Sequence, residues 1–202
     1  NNRNETPGFA TRAIHHGYNP LDYHGALNPP VFLSSTFAFG NSNEGSDRFA
    51  GEAQGFIYHR VGNPTVDILE NRLAELEGAE AGLVTSSGMG AITAVFWTLL
   101  SAGDEIIADK TLYGCTFSLL HHHVEKFGIK ARFIDMTDPA ELASAINEKT
   151  KIVYCETPAN PNMRLVDIAA IANICRKFDT TFIVDNTYCT PDLQNPIKLG
   201  AD

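Results

Sequence analysis

The sequence has no apolar run approaching the ~20 residues that cross a bilayer, and its polar opening, residues 1–5, lacks the apolar core of a signal peptide. Both absences point to a cytoplasmic protein with no membrane partner. Basic runs are missing too. Fifteen Lys and Arg stand against 24 Asp and Glu, a formal charge of -9, which argues against nucleic acid or an anionic membrane as the main partner and leaves small molecules. Cysteine is sparse. Cys115, Cys155, Cys175 and Cys189 show neither close pairing nor metal-ligand spacing, which fits reduced thiols and indicates no metal. Neither Gly-x-Gly-x-x-Gly nor a Walker loop occurs, so the usual dinucleotide and nucleoside-triphosphate readings lose ground. There is no internal repeat and no low-complexity segment. What remains is 202 residues, enough for one large α/β domain with an ordinary core.

Residues 1–60 show little helical periodicity and are punctuated by Pro7, Pro20, Pro29 and Pro30. They are expected to form an extended N-terminal arm, taken as 1–62, that reaches a neighbouring subunit through its apolar patch at 31–39; an arm folded back on its own domain fits equally well. Regular structure begins at Asn63-Pro64, an N-cap followed by a first-turn proline. Val66, Leu69, Leu73 and Leu76 then share a helix face, and Gly78 ends it. Beyond, strands are expected at 81–85, 105–109, 130–134, 151–155 and 181–185, and helices at 89–100, 114–127, 139–147 and 166–178. The fold class is therefore α/β, with a mostly parallel sheet and flanking helices over 63–202.

Thr181-Phe-Ile-Val-Asp185 reads as a buried parallel strand that carries an acid to its carboxyl end, where ligands sit in doubly wound sheets. A carboxylate there suits a positively charged ring nitrogen, such as the pyridinium of pyridoxal phosphate; a turn or helix cap is the plain alternative. Ser87-Gly88-Met89-Gly90 opens an apolar helix bearing Ile92, Val95, Phe96 and Leu99, so exposed amides and the helix dipole make an anion site, or simply a tight turn. Tyr113 stands at the next strand-to-helix junction, able to lay its ring on a flat cofactor and to act as an acid if a guanidinium depresses its pKa. Cys115 either lines the same pocket or is packed as a small apolar residue. Asn160, in the stiff loop Thr157-Pro-Ala-Asn-Pro161, presents an amide. Tyr58 and Arg60 fall on one side of an extended segment and together can hold a phosphate. The run His121-His122-His123 is no metal site, because consecutive helical residues diverge by about 100°.

Taken in order, Tyr58-His59-Arg60 with Gly62-Asn63-Pro64-Thr65, Ser87-Gly88-Met89, Tyr113-Gly114-Cys115, Glu156-Thr-Pro-Ala-Asn-Pro161 and Val184-Asp185-Asn186-Thr187 resemble the pyridoxal-phosphate enzymes of cysteine and methionine metabolism. The likeness runs through nearly the whole chain. It implies an aminotransferase-like (fold type I) large domain in a homotetramer, a dimer of dimers with shared active sites. It also implies roles. Gly88 and Met89 would bind the cofactor phosphate with Tyr58 and Arg60 of a neighbouring subunit. Tyr113 would stack on the ring, Asp185 would pair with its nitrogen, Asn160 would sit near its hydroxyl, and Thr187 would support the site. The opening Gly8-Phe-Ala-Thr-Arg-Ala-Ile-His-His-Gly17 and Cys115 favour methionine as the sulfur amino acid consumed, by γ-elimination, over cystathionine or a homoserine ester. One departure matters: the family's Schiff-base lysine belongs to a Ser-x-Thr-Lys segment that none of the seven lysines here occupies. The sequence is therefore expected to be the N-terminal half of the enzyme, inactive by itself.

Overall fold

Strand periodicity decides how the second half of the chain is layered. In the computed structural model, which describes residues 6–202, the chain forms two compact units that divide at Val84/Thr85. The polar opening at 1–5 lies outside the described residues. The first unit contains α1 (Phe9–His15), α2 (Ser42–Ala50) and α3 (Pro64–Glu77). The second contains α4 (Gly88–Leu99), β1 (Glu105–Asp109), α5 (Gly114–His122), β2 (Lys130–Ile134) and α6 (Pro139–Ala145), then β3 (Thr150–Glu156), α7 (Ile168–Lys177), β4 (Thr181–Asp185) and α8 (Thr190–Leu193).

Within the first unit, the stretch expected to lack helices carries two. Both are short, and α1 buries no residue, so no apolar stripe marks them in the sequence. The Asn41 side chain caps α2 by accepting from the Glu44 amide. The segment before α3 is tied to it: Asn63 donates its side-chain amide to the Phe32 carbonyl, and Thr65 accepts from the Phe32 amide. Asn63 also caps α3, Pro64 takes its first turn, and Gly78 closes it at φ 74°. The buried stripe of α3 is Ile68, Ala74 and Leu76, while Leu69 and Leu73 remain exposed. Only part of the expected face is covered within this chain. The strand expected at 81–85 does not form. Among the described residues no strand pairs with it, and the Val84 amide donates to Glu70 Oε1 at 2.7 Å instead.

The second unit is a four-stranded sheet in the order β2-β1-β3-β4, every pair parallel. Alternate residues of each strand face opposite sides. Ile107, Val153, Cys155 and Phe182 enter one core with Leu142, Ile171 and Cys175 of α6 and α7. Ile106, Ala108, Ile152 and Tyr154 enter the other with Phe96 of α4 and Leu120 of α5. Both faces are thus covered, as parallel sheets require. The helix expected over 114–127 breaks at His123 and resumes as a 3-10 turn over Val124–Phe127. The strand ending in Asp185 is parallel but lies at the edge of the sheet, with only Phe182 fully buried. Asp202 meets its outer side, where its amide donates to the Phe182 carbonyl and its carboxylate accepts from the Phe182 amide.

Because β1 neighbours both β2 and β3, the connections leaving β1 and β3 turn in opposite directions. That reversal opens a crevice at the carboxyl ends of these strands.

Candidate active site

Two strand-to-helix junctions, the start of α4 and one proline-rich loop meet at that crevice. A cleft of about 350 Å³ is lined by Ser87, Gly88, Met89, Ile92, Tyr113, Glu156, Asn160, Asp185, Thr187 and Tyr188. Six of the residues singled out in the sequence, Gly88, Met89, Tyr113, Asn160, Asp185 and Thr187, therefore share one cavity.

The floor is the first turn of α4. The Ser87 hydroxyl caps it by accepting from the Gly90 amide at 3.0 Å, and the Ala91 amide is spent on the Ser87 carbonyl. The amides of Gly88 and Met89 find no acceptor among the described residues. A Cβ added at Gly88 would meet nothing within 4 Å, so the helix end is open to an incoming anion.

Asp185 stands on β4 directly across from Glu156 on β3. One oxygen of Asp185 is held locally: Oδ1 accepts from the Thr187 amide at 3.1 Å and from its hydroxyl at 2.5 Å. The other, Oδ2, accepts from the Tyr154 hydroxyl at 3.2 Å. Glu156, almost fully buried, accepts from the Tyr113 amide at 2.6 Å and from the Asn160 amide at 2.9 Å. One carboxylate thus ties the junction after β1 to the loop after β3. Burial first, and then the Asp185 charge, push the Glu156 carboxyl above its ordinary value against the pull of those two amides. Neither Glu156 nor Tyr154 was assigned a role from the sequence. The available signal was a second acid closing an apolar run, Lys151-Ile-Val-Tyr-Cys-Glu156, in the same way as Thr181-Phe-Ile-Val-Asp185.

The Asn160 loop is braced on both flanks. The Thr157 hydroxyl accepts from the Val166 amide, and the Thr157 carbonyl accepts from the Gln194 side chain. Arg164 reaches across to Thr111 and Thr137 at 3.0 Å each and pairs with Asp135.

Two expectations about side chains need correction. Among the described residues no guanidinium lowers the Tyr113 pKa. The adjoining Cys115 side chain, and then desolvation, raise it instead. Cys115 is exposed and touches the cleft only through Tyr113. Tyr58 and Arg60, in the first unit, do not lie on an extended run. Tyr58 makes one antiparallel bridge to Thr36, and the chain then turns, the Val61 amide donating to the Tyr58 carbonyl. The turn still brings the pair together, with the Arg60 guanidinium 5.4 Å from the Tyr58 ring centre. Among the described residues no group of His, Cys, Asp or Glu side chains is placed to hold a metal, and no helix is long and apolar enough to cross a membrane.

A parallel sheet covered on both faces, with an open helix amide end and a strand-end acid around one crevice, defines the class: an aminotransferase-like large domain of fold type I. Solved structures agree. The crystal structure of metB from Corynebacterium glutamicum superposes with a TM-score of 0.90 at 40% identity, covering 97% of this chain and 49% of that one. A putative O-acetylhomoserine (thiol)-lyase (metY) from Campylobacter jejuni, solved with N'-pyridoxyl-lysine-5'-monophosphate, superposes at 0.92 with 35% identity over 98% and 48%. The chain belongs to the Cys/Met metabolism PLP-dependent enzyme family, whose model matches residues 10–202. It is 56% identical to L-methionine gamma-lyase of Pseudomonas putida over 98% of its own length and 50% of that enzyme's. The chain therefore spans about half the length of the curated relatives it matches.

The donor set fits pyridoxal phosphate. Two unspent amides at a helix start suit the phosphate, and an acid with its charge supported by three donors suits a protonated ring nitrogen.

Proposed function

We propose that the intact protein, with pyridoxal phosphate, converts L-methionine and water to methanethiol, 2-oxobutanoate and ammonia by γ-elimination. The observation that carries this reading is the single cleft in which the open amides of Gly88 and Met89, the Asp185 carboxylate and Tyr113 face one another. When bound, the cofactor supplies an electron sink for negative charge developing on the substrate.

The remaining work falls to this chain. Gly88 and Met89 would grip the phosphate through their amides, and Asp185 would keep the ring nitrogen protonated, steadied by Thr187. Tyr113 would cover the ring and hold a proton at its hydroxyl for the departing thiolate. The phenol is protonated at neutral pH, and its raised pKa means that a bound substrate or a neighbouring subunit's cation has to lower it before the proton is given up readily. Asn160 would hydrogen-bond the ring hydroxyl, and Cys115 would set the position of the Tyr113 hydroxyl. Tyr58 and Arg60 would complete the phosphate site from a neighbouring subunit of a cytoplasmic homotetramer, with residues 1–62 making part of that contact. The identity of 56% to a methionine gamma-lyase, against 38% to an O-acetyl-L-homoserine sulfhydrylase of Leptospira meyeri, favours methionine over O-acetylhomoserine.

The test is a side-by-side assay of the intact protein with methionine, cystathionine, and O-acetylhomoserine plus sulfide, following methanethiol and 2-oxobutanoate. Methionine is expected to be turned over with the highest kcat/KM. A preference of tenfold or more for either rival would overturn the assignment.

A further inference from the structure

Tyr154 lies inside β3, where nothing about a strand interior requires a hydroxyl. Its ring belongs to the core shared by α4 and α5, and Phe96 meets it edge-on with ring centres 5.3 Å apart and planes at 82°. Only 2% of the residue is exposed. A buried phenol needs a hydrogen-bond partner, and the register supplies one. Tyr154 sits opposite Ile183 on β4, so Asp185, two residues on, falls on the same face of the sheet and a tyrosine's length away along the diagonal. The hydroxyl reaches Asp185 Oδ2 at 3.2 Å, the oxygen that Thr187 leaves free. Thr116, fully buried in α5, approaches the same phenol oxygen and lies 3.7 Å from the Met89 sulfur. The phenol is thus seated between the α4 cradle, the Tyr113 junction and the strand-end acid.

We propose that Tyr154 is a positioning residue for the cofactor: from inside the core it donates to Asp185, fixing that carboxylate in place and aiming it at the pyridinium. This rests on the pyridoxal-phosphate reading of the cleft. A hydrogen bond from below favours the charged form of the acid, and the charged form is what keeps a ring nitrogen protonated. Burial, followed by the charge of Asp185, drives the phenol far above its usual pKa, so it stays a donor across the working range. The alternative role, filling core volume, requires the ring but not the hydroxyl.

Tyr154→Phe separates the two, because it keeps the ring against Phe96 and deletes one oxygen. In the intact protein, pyridoxal phosphate affinity is measured for the wild type, Tyr154→Phe, Asp185→Asn and the double variant. Ring-nitrogen protonation is read from the 15N signal of labelled cofactor. Loss of a hydrogen bond to a charged group is expected to weaken binding about tenfold when Asp185 is present and to have no effect in the Asp185→Asn background. The 15N signal of Tyr154→Phe is expected to move toward the unprotonated position. An equal loss in both backgrounds, or unchanged affinity and signal in Tyr154→Phe, would show the hydroxyl does not act through Asp185 and overturn the proposal. A wild-type protein that takes up no pyridoxal phosphate at all removes the proposed function itself, which is a different result from a cofactor bound indifferently to Tyr154.

Discussion

Glu156 shows how much one side chain can organise. An ionised carboxylate only accepts, and each of its two oxygens has a backbone amide to hold, one from Tyr113 and one from Asn160. Glutamine has the same shape but only one accepting oxygen, so in Glu156→Gln its NH2 group would point at one of the two amides. That junction would be left without an acceptor, at a cost of about 1–3 kcal/mol. Glu156→Gln is expected to reduce pyridoxal phosphate affinity and turnover of the intact protein together, about tenfold or more, and to lower its unfolding free energy in urea by the amount just given. Normal cofactor affinity would show that the two loops hold themselves in place. The position of the residue explains its shifted carboxyl. Its carboxyl is raised by burial and by the facing Asp185, as happens where groups are gathered for chemistry rather than for stability.

At the scale of elements, the two ends of the sheet treat buried acids in opposite ways. Glu105 opens β1 at the end away from the cleft. Burial alone would raise its carboxyl, yet hydrogen bonds from Asn147 and Thr150 with the charges of Arg132 and Lys130 outweigh it and hold the pKa below the ordinary value. The sign then follows. A carboxyl depressed in the folded state contributes stability above its unfolded pKa, about 4.3, and loses it as pH falls through the folded value. Glu105→Gln is expected to cost about 1–3 kcal/mol at neutral pH, and to flatten the loss of stability on acidification below about pH 4, measured by urea unfolding at neutral and acid pH. If the variant kept the wild-type acid dependence, Glu105 would not be its source. Glu156 has the reverse linkage: its raised carboxyl contributes stability at low pH that is lost as pH rises through its folded pKa. One end of the parallel sheet is built to stay folded, and the other spends stability on presenting a ligand site.

At the scale of the molecule, the cleft lies wholly within the second unit, while Tyr58 and Arg60 belong to the first. If the phosphate site is completed between subunits, as proposed, two inactive variants carry complementary defects. Arg60→Ala spoils the donated half of a site, and Asp185→Ala spoils the receiving half. Each intact variant is expected to lose activity by about two orders of magnitude or more, and mixing them through dissociation and reassembly is expected to restore a measurable fraction by creating sites with both halves native. Failure of any mixture to exceed the sum of its parts would place Arg60 in its own subunit's site. The exposed Leu69, Leu73, Leu83 and Trp97 offer apolar surface for such an assembly.

Much of this protein can be read along the chain because the signals are local. Asn63-Pro64 and Gly78 bracket α3, β-branched runs mark β1 and β4, and Ser87-Gly88 announces an open helix end within four residues. Short helices without a buried stripe, such as α1, were invisible for the same reason, since they leave no periodic trace. Residues 81–85 carry apolar letters, yet a strand exists only when a neighbour offers its edge, and none does among the described residues. The contacts that make a site are of that second kind. Tyr154 meets Asp185, and Glu156 meets the Tyr113 amide, across separations of 31 and 43 residues. Those distances close only because parallel pairing in one register, with a reversal beside β1, sets three strand ends side by side. Hydrogen bonds at this range depend on topology, which no window of neighbouring residues encodes.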